Sequence, residues 1–158
     1  MDHPLVFKER LWPGTLGWVS VLAFAGTLGL TMGPTRPWLA AGVGLAALAV
    51  GVGLASLTAA RVEVSDGSLT AGAARIPARL LGAGQTLDRE MLRAALGPGS
   101  DARDYVLLRS WLPGAVSFPV IDPADSTPRW VVSTRRPEAL LAAVEAARAQ
   151  AAHSEQIG

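Results

Sequence analysis

The sequence contains no cysteine, which excludes disulfides, thiolate nucleophiles and zinc–thiolate sites together. Histidine is nearly as scarce. The two that occur, His3 and His153, lie near the chain ends, where little surrounding structure would hold a tuned geometry. Aromatic residues make up 6% although half of all residues are hydrophobic, so the apolar excess is Ala, Leu and Val, joined by abundant Gly. Such a bias suits close-packed apolar helices. Lysine occurs once, at Lys8, among fourteen cations, and the heavy use of Arg, Ala, Gly and Pro points to a GC-rich bacterial genome.

Recognisable chemistry is also lacking. There is no H-E-x-x-H, no G-x-S-x-G and no phosphate-binding loop, and Gly82-Ala83-Gly84 lacks the third glycine of a dinucleotide fingerprint. Asp101 with Asp104, and Asp122 with Asp125, are paired acids at three-residue spacing in loop-like text. That setting favours solvated turn formers over a general acid and base. No catalytic residue, metal ligand or cofactor is therefore expected, and the chain reads as a non-enzyme. Its formal net charge is +1, and from Arg61 onward eleven Arg face eleven Asp or Glu. A composition that balanced offers no excess of cations for nucleic acid.

Two long uncharged runs dominate the first third. Residues 37–60 and 11–32 carry no ionisable or amide side chain. A helix rising 1.5 Å per residue makes each roughly 30–35 Å long, enough to cross a hydrocarbon core of about 30 Å. Only the segment 33–37 lies between them, so the helices must be antiparallel neighbours. As core helices of a soluble protein they would need a covering shell that the remaining chain is too short to supply. A cleaved signal peptide would use Ala23-Phe24-Ala25, but the apolar run continues to Met32 and a second follows at once.

Lys8 and Arg10 precede the first run and Arg61, Arg75 and Arg79 follow the second, whereas the tip carries only Arg36. The positive-inside rule then places both termini in the cytoplasm, with Trp12 and Trp38 as interfacial anchors. Gly29 with Gly33, Gly42 with Ala46, and Ala47 with Gly51 are small-xxx-small pairs. They suit packing of the hairpin on itself or, alternatively, oligomerisation or docking on another membrane protein.

After Arg61 the pattern alternates. Val62-Glu63-Val64 and Ser68-Leu69-Thr70 flank an Asp66-Gly67 turn, and residues 74–81 read as a third strand limited by Pro77. Asp88 is placed to cap a short helix ending at Gly97, with Leu87 and Leu92 as a hydrophobic staple. Residues 105–112, 116–121 and 129–134 read as an antiparallel meander. An amphipathic helix starts near Pro137 with Leu140, Leu141, Val144 and Ala151 on one face, and the text frays from His153.

The fold class is α+β: a two-helix transmembrane hairpin followed by a small antiparallel-sheet domain closed by a C-terminal helix. This order is similar to that of pleckstrin-homology-like domains, an analogy of architecture that carries no function. The expected divisions are a cytoplasmic segment 1–10, a hairpin 11–61 (spans about 11–32 and 38–60, outer loop 33–37), a cytoplasmic domain 62–152 and a flexible tail 153–158.

Two clusters stand out as candidate binding surfaces. Arg135 and Arg136 sit where the last helix begins, facing the positive end of its dipole. Either Asp122, Asp125 or Glu138 neutralises them, or Ser133, Thr134, Arg135 and Arg136 receive a phosphate or acidic lipid headgroup. Arg109, Trp111 and Trp130 form the second cluster. Alternation sets Trp111 beside Tyr105, Leu107 and Arg109, and such tryptophans are either core or, where exposed, an interaction surface. The partners expected are the bilayer, a protein partner, acidic lipids and a second copy of the chain, but no nucleic acid.

Several stretches together carry a family likeness: KERLWP (8–13), ARIP (74–77), LLRSW (107–111) and VIDPADSTPRWVVSTRRPEAL (120–140), of which STRRP is the most specific. The chain resembles the actinobacterial membrane proteins grouped as domain of unknown function 3093, over nearly its whole length. The resemblance implies two spans, a cytoplasmic domain and a plasma-membrane location. It supplies no catalytic or binding residue.

Overall fold

The computed structural model of the protein describes residues 7–32, 36–97 and 100–157. The chain forms two compact units, one of residues 12–59 and one that joins residues 1–11 to residues 60–158. The second unit therefore begins before the apolar runs.

Alternation explains that join. In Phe7–Leu11 the side chains of Phe7, Glu9 and Leu11 are buried while Lys8 and Arg10 are exposed, the period of a half-buried strand. This strand, β1, pairs antiparallel with β2, Ala60–Ser65, in a register running from Phe7 opposite Val64 to Leu11 opposite Ala60. The intervening 48 residues thus leave and re-enter the sheet at one residue pair. A separate N-terminal segment is what charge patterning alone suggested; it missed a strand because five residues are too few to stand out beside a long apolar run.

β2 turns at Asp66-Gly67 into β3, Ser68–Ala71, and both turn residues have positive φ (49° and 66°). Asp and Gly are among the residues that adopt this region most readily, and the resulting twist matches the flanking strands. β4, Ala74–Pro77, completes the order β1-β2-β3-β4. It stops at Pro77 and passes into a single 3₁₀ turn, Ala78–Leu80, instead of running to Leu81.

The second sheet has the order β5-β7-β8-β6, made of Gln85–Leu87, Gly114–Pro119, Arg129–Thr134 and Tyr105–Leu107. Its two outer strands depart from a simple meander. β6 ends at Leu107 and runs parallel to β8, with Tyr105 opposite Trp130. β7 has β5 on one edge and β8 on the other, so β6 does not pair with β7, its neighbour in sequence, and joins the outer edge of β8. Residues beyond Leu107 turn instead, Leu112 N–H donating to Arg109 C=O at 2.9 Å.

α3, Arg89–Ala95, starts as its cap dictates: an Asp88 carboxylate oxygen accepts from Glu90 N–H (2.9 Å) and Met91 N–H (2.8 Å). Leu92 packs beside Leu87, Ala115 and Val131, so α3 covers the outer face of the second sheet. The inner face joins the main core, where Val62, Val64, Leu69, Val116, Phe118, Trp130 and Val132 meet Leu140 and Val144 of the last helix. That helix, α4, spans Pro137–Ile157 and continues four residues past His153.

The other unit is a pair of packed apolar helices, α1 (Thr15–Met32) and α2 (Pro37–Thr58). α2 is long and apolar enough to cross a membrane; α1 is apolar and somewhat shorter. Large side chains point outward on both, Leu16 at 79% and Leu57 at 85% exposure. Contiguous apolar surface of this kind is rare on a soluble monomer.

Candidate functional site

The start of α4 is where the cation pair falls. Thr134, the last residue of β8, is fully buried, and its hydroxyl donates to one carboxylate oxygen of Glu9. The same hydroxyl oxygen accepts from Arg136 N–H at 3.1 Å. The other Glu9 oxygen accepts from Arg135 N–H at 3.1 Å and lies 3.5 Å from the Arg135 guanidinium. A carboxylate facing a helix start offsets both the dipole and the adjacent cations. The partner of Arg135 is thus Glu9 of β1. Asp122 and Asp125 act locally, accepting from Ala124 N–H (2.9 Å) and Thr127 N–H (2.8 Å) as turn formers do.

Both guanidinium groups also reach the open edge of β1. Arg135 donates to Arg10 C=O at 3.3 Å and Arg136 to Lys8 C=O at 3.2 Å, while Arg136 stands 5.0 Å over the Phe7 ring. An edge strand with free carbonyls invites pairing with another chain, and these contacts cover it. The Arg135 and Arg136 side chains remain exposed, whereas Ser133 is buried and its hydroxyl accepts from Arg109 N–H at 3.2 Å. Of the four expected anion-binding residues, the two hydroxyls face inward and the two arginines reach solvent.

The second cluster divides. Trp130 is 5% exposed and packs on Tyr105 with ring centroids 4.3 Å apart, so it belongs to the core. Trp111 is 42% exposed, and Arg109 lies over its ring at 5.8 Å. Because β6 ends at Leu107, alternation does not carry from Tyr105 to Trp111, and the two tryptophans point to different surroundings.

Within the helix pair, small residues act at the seam in part. A Cβ added to Gly29 would lie 3.1 Å from Ala40 C=O and 3.6 Å from the Gly44 Cα, and one on Gly51 would lie 2.6 Å from Val21. At Gly42 it would meet nothing within 4 Å, and Ala46 beside it is exposed. Ala47 lines the α1–α2 groove with Gly51, and Gly33 lies outside the described residues. Four hydroxyls of the pair are satisfied along their own helices: Ser20 donates to Leu16 C=O (2.9 Å), Thr27 to Ala23 (2.8 Å), Ser56 to Val52 (2.8 Å) and Thr58 to Leu54 (2.8 Å). Ser and Thr within apolar helices commonly return their hydroxyls to the preceding turn in this way.

Sequence reasoning missed two buried ionic links. Glu9 could have been found from its inward position in the alternation Phe7-x-Glu9-x-Leu11. Asp104 had no such signal. Its side chain is 2% exposed and paired with Arg129, which also donates to Ala95 C=O at 3.2 Å. Among the described residues, no group of three or more His, Asp or Glu is gathered to hold a metal ion.

A family model described as a protein of unknown function, DUF3093, matches residues 6–144. No curated protein and no solved structure matches the chain.

Proposed function

The chain belongs to the DUF3093 family of proteins of unknown function, and on that premise we propose that it is a non-enzymatic membrane-anchored interaction module. Its helix pair crosses the plasma membrane twice and holds the folded unit at the cytoplasmic surface, where it meets a protein partner or acidic headgroups. One observation carries this reading: the outward-facing apolar helices leave and re-enter the sheet at the paired residues Leu11 and Ala60. Two crossings return the chain to the side it left, as that pairing requires. The cations flanking both runs favour the cytoplasmic side. Tethering raises effective concentration, so weak contacts suffice.

A four-stranded meander, a second sheet and a single C-terminal helix support a pleckstrin-homology-like reading of the folded unit, from which the parallel pairing of β6 and β8 departs. The heavy use of Arg, Ala, Gly and Pro and the family likeness suit an actinobacterial membrane.

Because the sequence has no cysteine, topology can be read with single introduced thiols. Arg36→Cys should react with a membrane-impermeant maleimide on intact cells, and Ser126→Cys only after permeabilisation. The reverse pattern, or release of the chain by alkaline carbonate, would end this reading. A second reading, an accessory subunit docking through its spans, draws on the open space at Gly42. Exchange of the hairpin for an unrelated one should preserve partner capture under the first reading and abolish it under the second.

A further inference from the structure

We infer that the outer face of the β1–β4 sheet is a docking surface for an anionic lipid bilayer. This rests on the membrane-anchored reading above and names the surface and the ligand class.

Register places the charges. Lys8 lies opposite Glu63, Glu63 opposite Thr70, and Thr70 opposite Arg75, which makes one row across all four strands. Arg10 opposite Arg61 makes the next. Paired residues share a face, so these six side chains look one way while Phe7, Leu11, Val62, Val64, Leu69 and Ile76 look the other, into the core. Lys8, Arg10, Arg61 and Arg75 are all exposed, and Glu63 is the one acid on the face, 3.8 Å from Lys8. Arg135 and Arg136 add two exposed guanidinium groups along the β1 edge. A chain balanced in composition thus presents four exposed cations and one acid on this face.

Two features fit a lipid surface. The face is a pleated plane about 15 Å wide, four strands at roughly 4.8 Å spacing, which matches an array of headgroups better than one small anion. Arg10 and Arg61 are also the immediate chain neighbours of Leu11 and Ala60, so connectivity alone keeps them near the boundary of any bilayer the apolar helices cross. No aromatic residue occupies the outward-facing paired positions of β1–β4, where one would stack a base.

The full chain in lipid nanodiscs tests this, with a nitroxide on Thr70→Cys and a control label on Ser126→Cys. Discs of phosphatidylcholine are compared with discs in which part of it is replaced by phosphatidylglycerol. The Thr70 label should lose access to a water-soluble nickel chelate in the anionic discs, regain it as salt is raised, and leave the Ser126 label unchanged. Replacing Lys8, Arg61 or Arg75 by Ala should each lower the docked-to-free ratio about fivefold. A chain retained in both discs with equal Thr70 access overturns the inference and leaves the anchored reading standing. A chain retained by neither removes both. Protection by added duplex DNA in neutral discs, with none from anionic lipid, assigns the face to nucleic acid and also overturns it.

Discussion

Thr134, at the end of the last strand, donates its hydroxyl hydrogen to the buried carboxylate of Glu9, in the first strand and 125 residues earlier. The second Glu9 oxygen takes the Arg135 amide, so both oxygens of this acid are committed to the corner between β8 and α4. The first strand lies beyond 48 hairpin residues from the rest of its sheet. Glu9 thus fastens the most remote element of the unit to the helix that closes it.

Glu9→Ala should destabilise the unit by about 1–3 kcal/mol, because the Thr134 hydroxyl and the Arg135 amide then lose their acceptor in a buried setting. Glu9→Gln keeps one carbonyl acceptor and should cost less, and Thr134→Val should fall between the two. Denaturant unfolding of the full chain in detergent, followed by tryptophan fluorescence, reads all three. Equal stability of Glu9→Ala and the parent would show that the carboxylate holds nothing.

Local chemistry made much of this fold legible. The Asp66-Gly67 turn, the Asp88 cap and the start of α4 at Pro137 are each set by residues within a few positions, and each stands where the sequence places it. Two uncharged runs likewise announced a pair of packed helices. What was not legible depends on distance along the chain. That β6 pairs with β8 and not with β7, both of whose edges are taken, is a property of the finished sheet. The neutralisation of Arg135 by Glu9 and the cationic face of the first sheet both need the β1–β2 register, and nothing local to either strand states it.

Gly51 and Gly29 should be intolerant where Gly42 is tolerant. A methyl group at Gly51 would meet Val21 at 2.6 Å and one at Gly29 would meet the Ala40 carbonyl at 3.1 Å, whereas Gly42 opens on free space. Gly51→Ala and Gly29→Ala should each loosen the helix pair by about 1–3 kcal/mol. Thermal melting in mild detergent measures this. Gly42→Leu should leave the melt unchanged, and a loss of self-association or partner capture in that variant alone would favour docking through the outward face.

Asp104 and Arg129 form the other buried link. The carboxylate is 2% exposed and its partner also holds the Ala95 carbonyl at the end of α3. Removing one member of such a pair leaves an uncompensated charge, so Arg129→Ala should cost about 3–5 kcal/mol. The double replacement Asp104→Leu with Arg129→Met should recover much of it. Limited proteolysis between α3 and β6 should report the loosened loop of the single variant and not of the double.

Asp101 offers a titration that separates a local device from a global one. Its carboxylate accepts from the Arg103 side chain at 3.0 and 2.7 Å and from the Arg103 amide at 2.9 Å, and these bonds, the side-chain pair foremost, hold it at about 2 against an ordinary 3.8. A depressed folded value means the unfolded chain binds the proton more readily. The stabilisation is therefore complete above the unfolded value and disappears as pH falls through about 2. The pair is open to solvent, so water screens it and the effect on overall unfolding should be small. A carbon-detected carboxyl titration should give Asp101 a midpoint near 2 in the parent, and Arg103→Ala should return it toward the ordinary 3.8. The midpoint should stop short of full return, because the amide of residue 103 still donates. A parent midpoint at the ordinary value would mean that the side-chain bonds to Arg103 do not persist in solution.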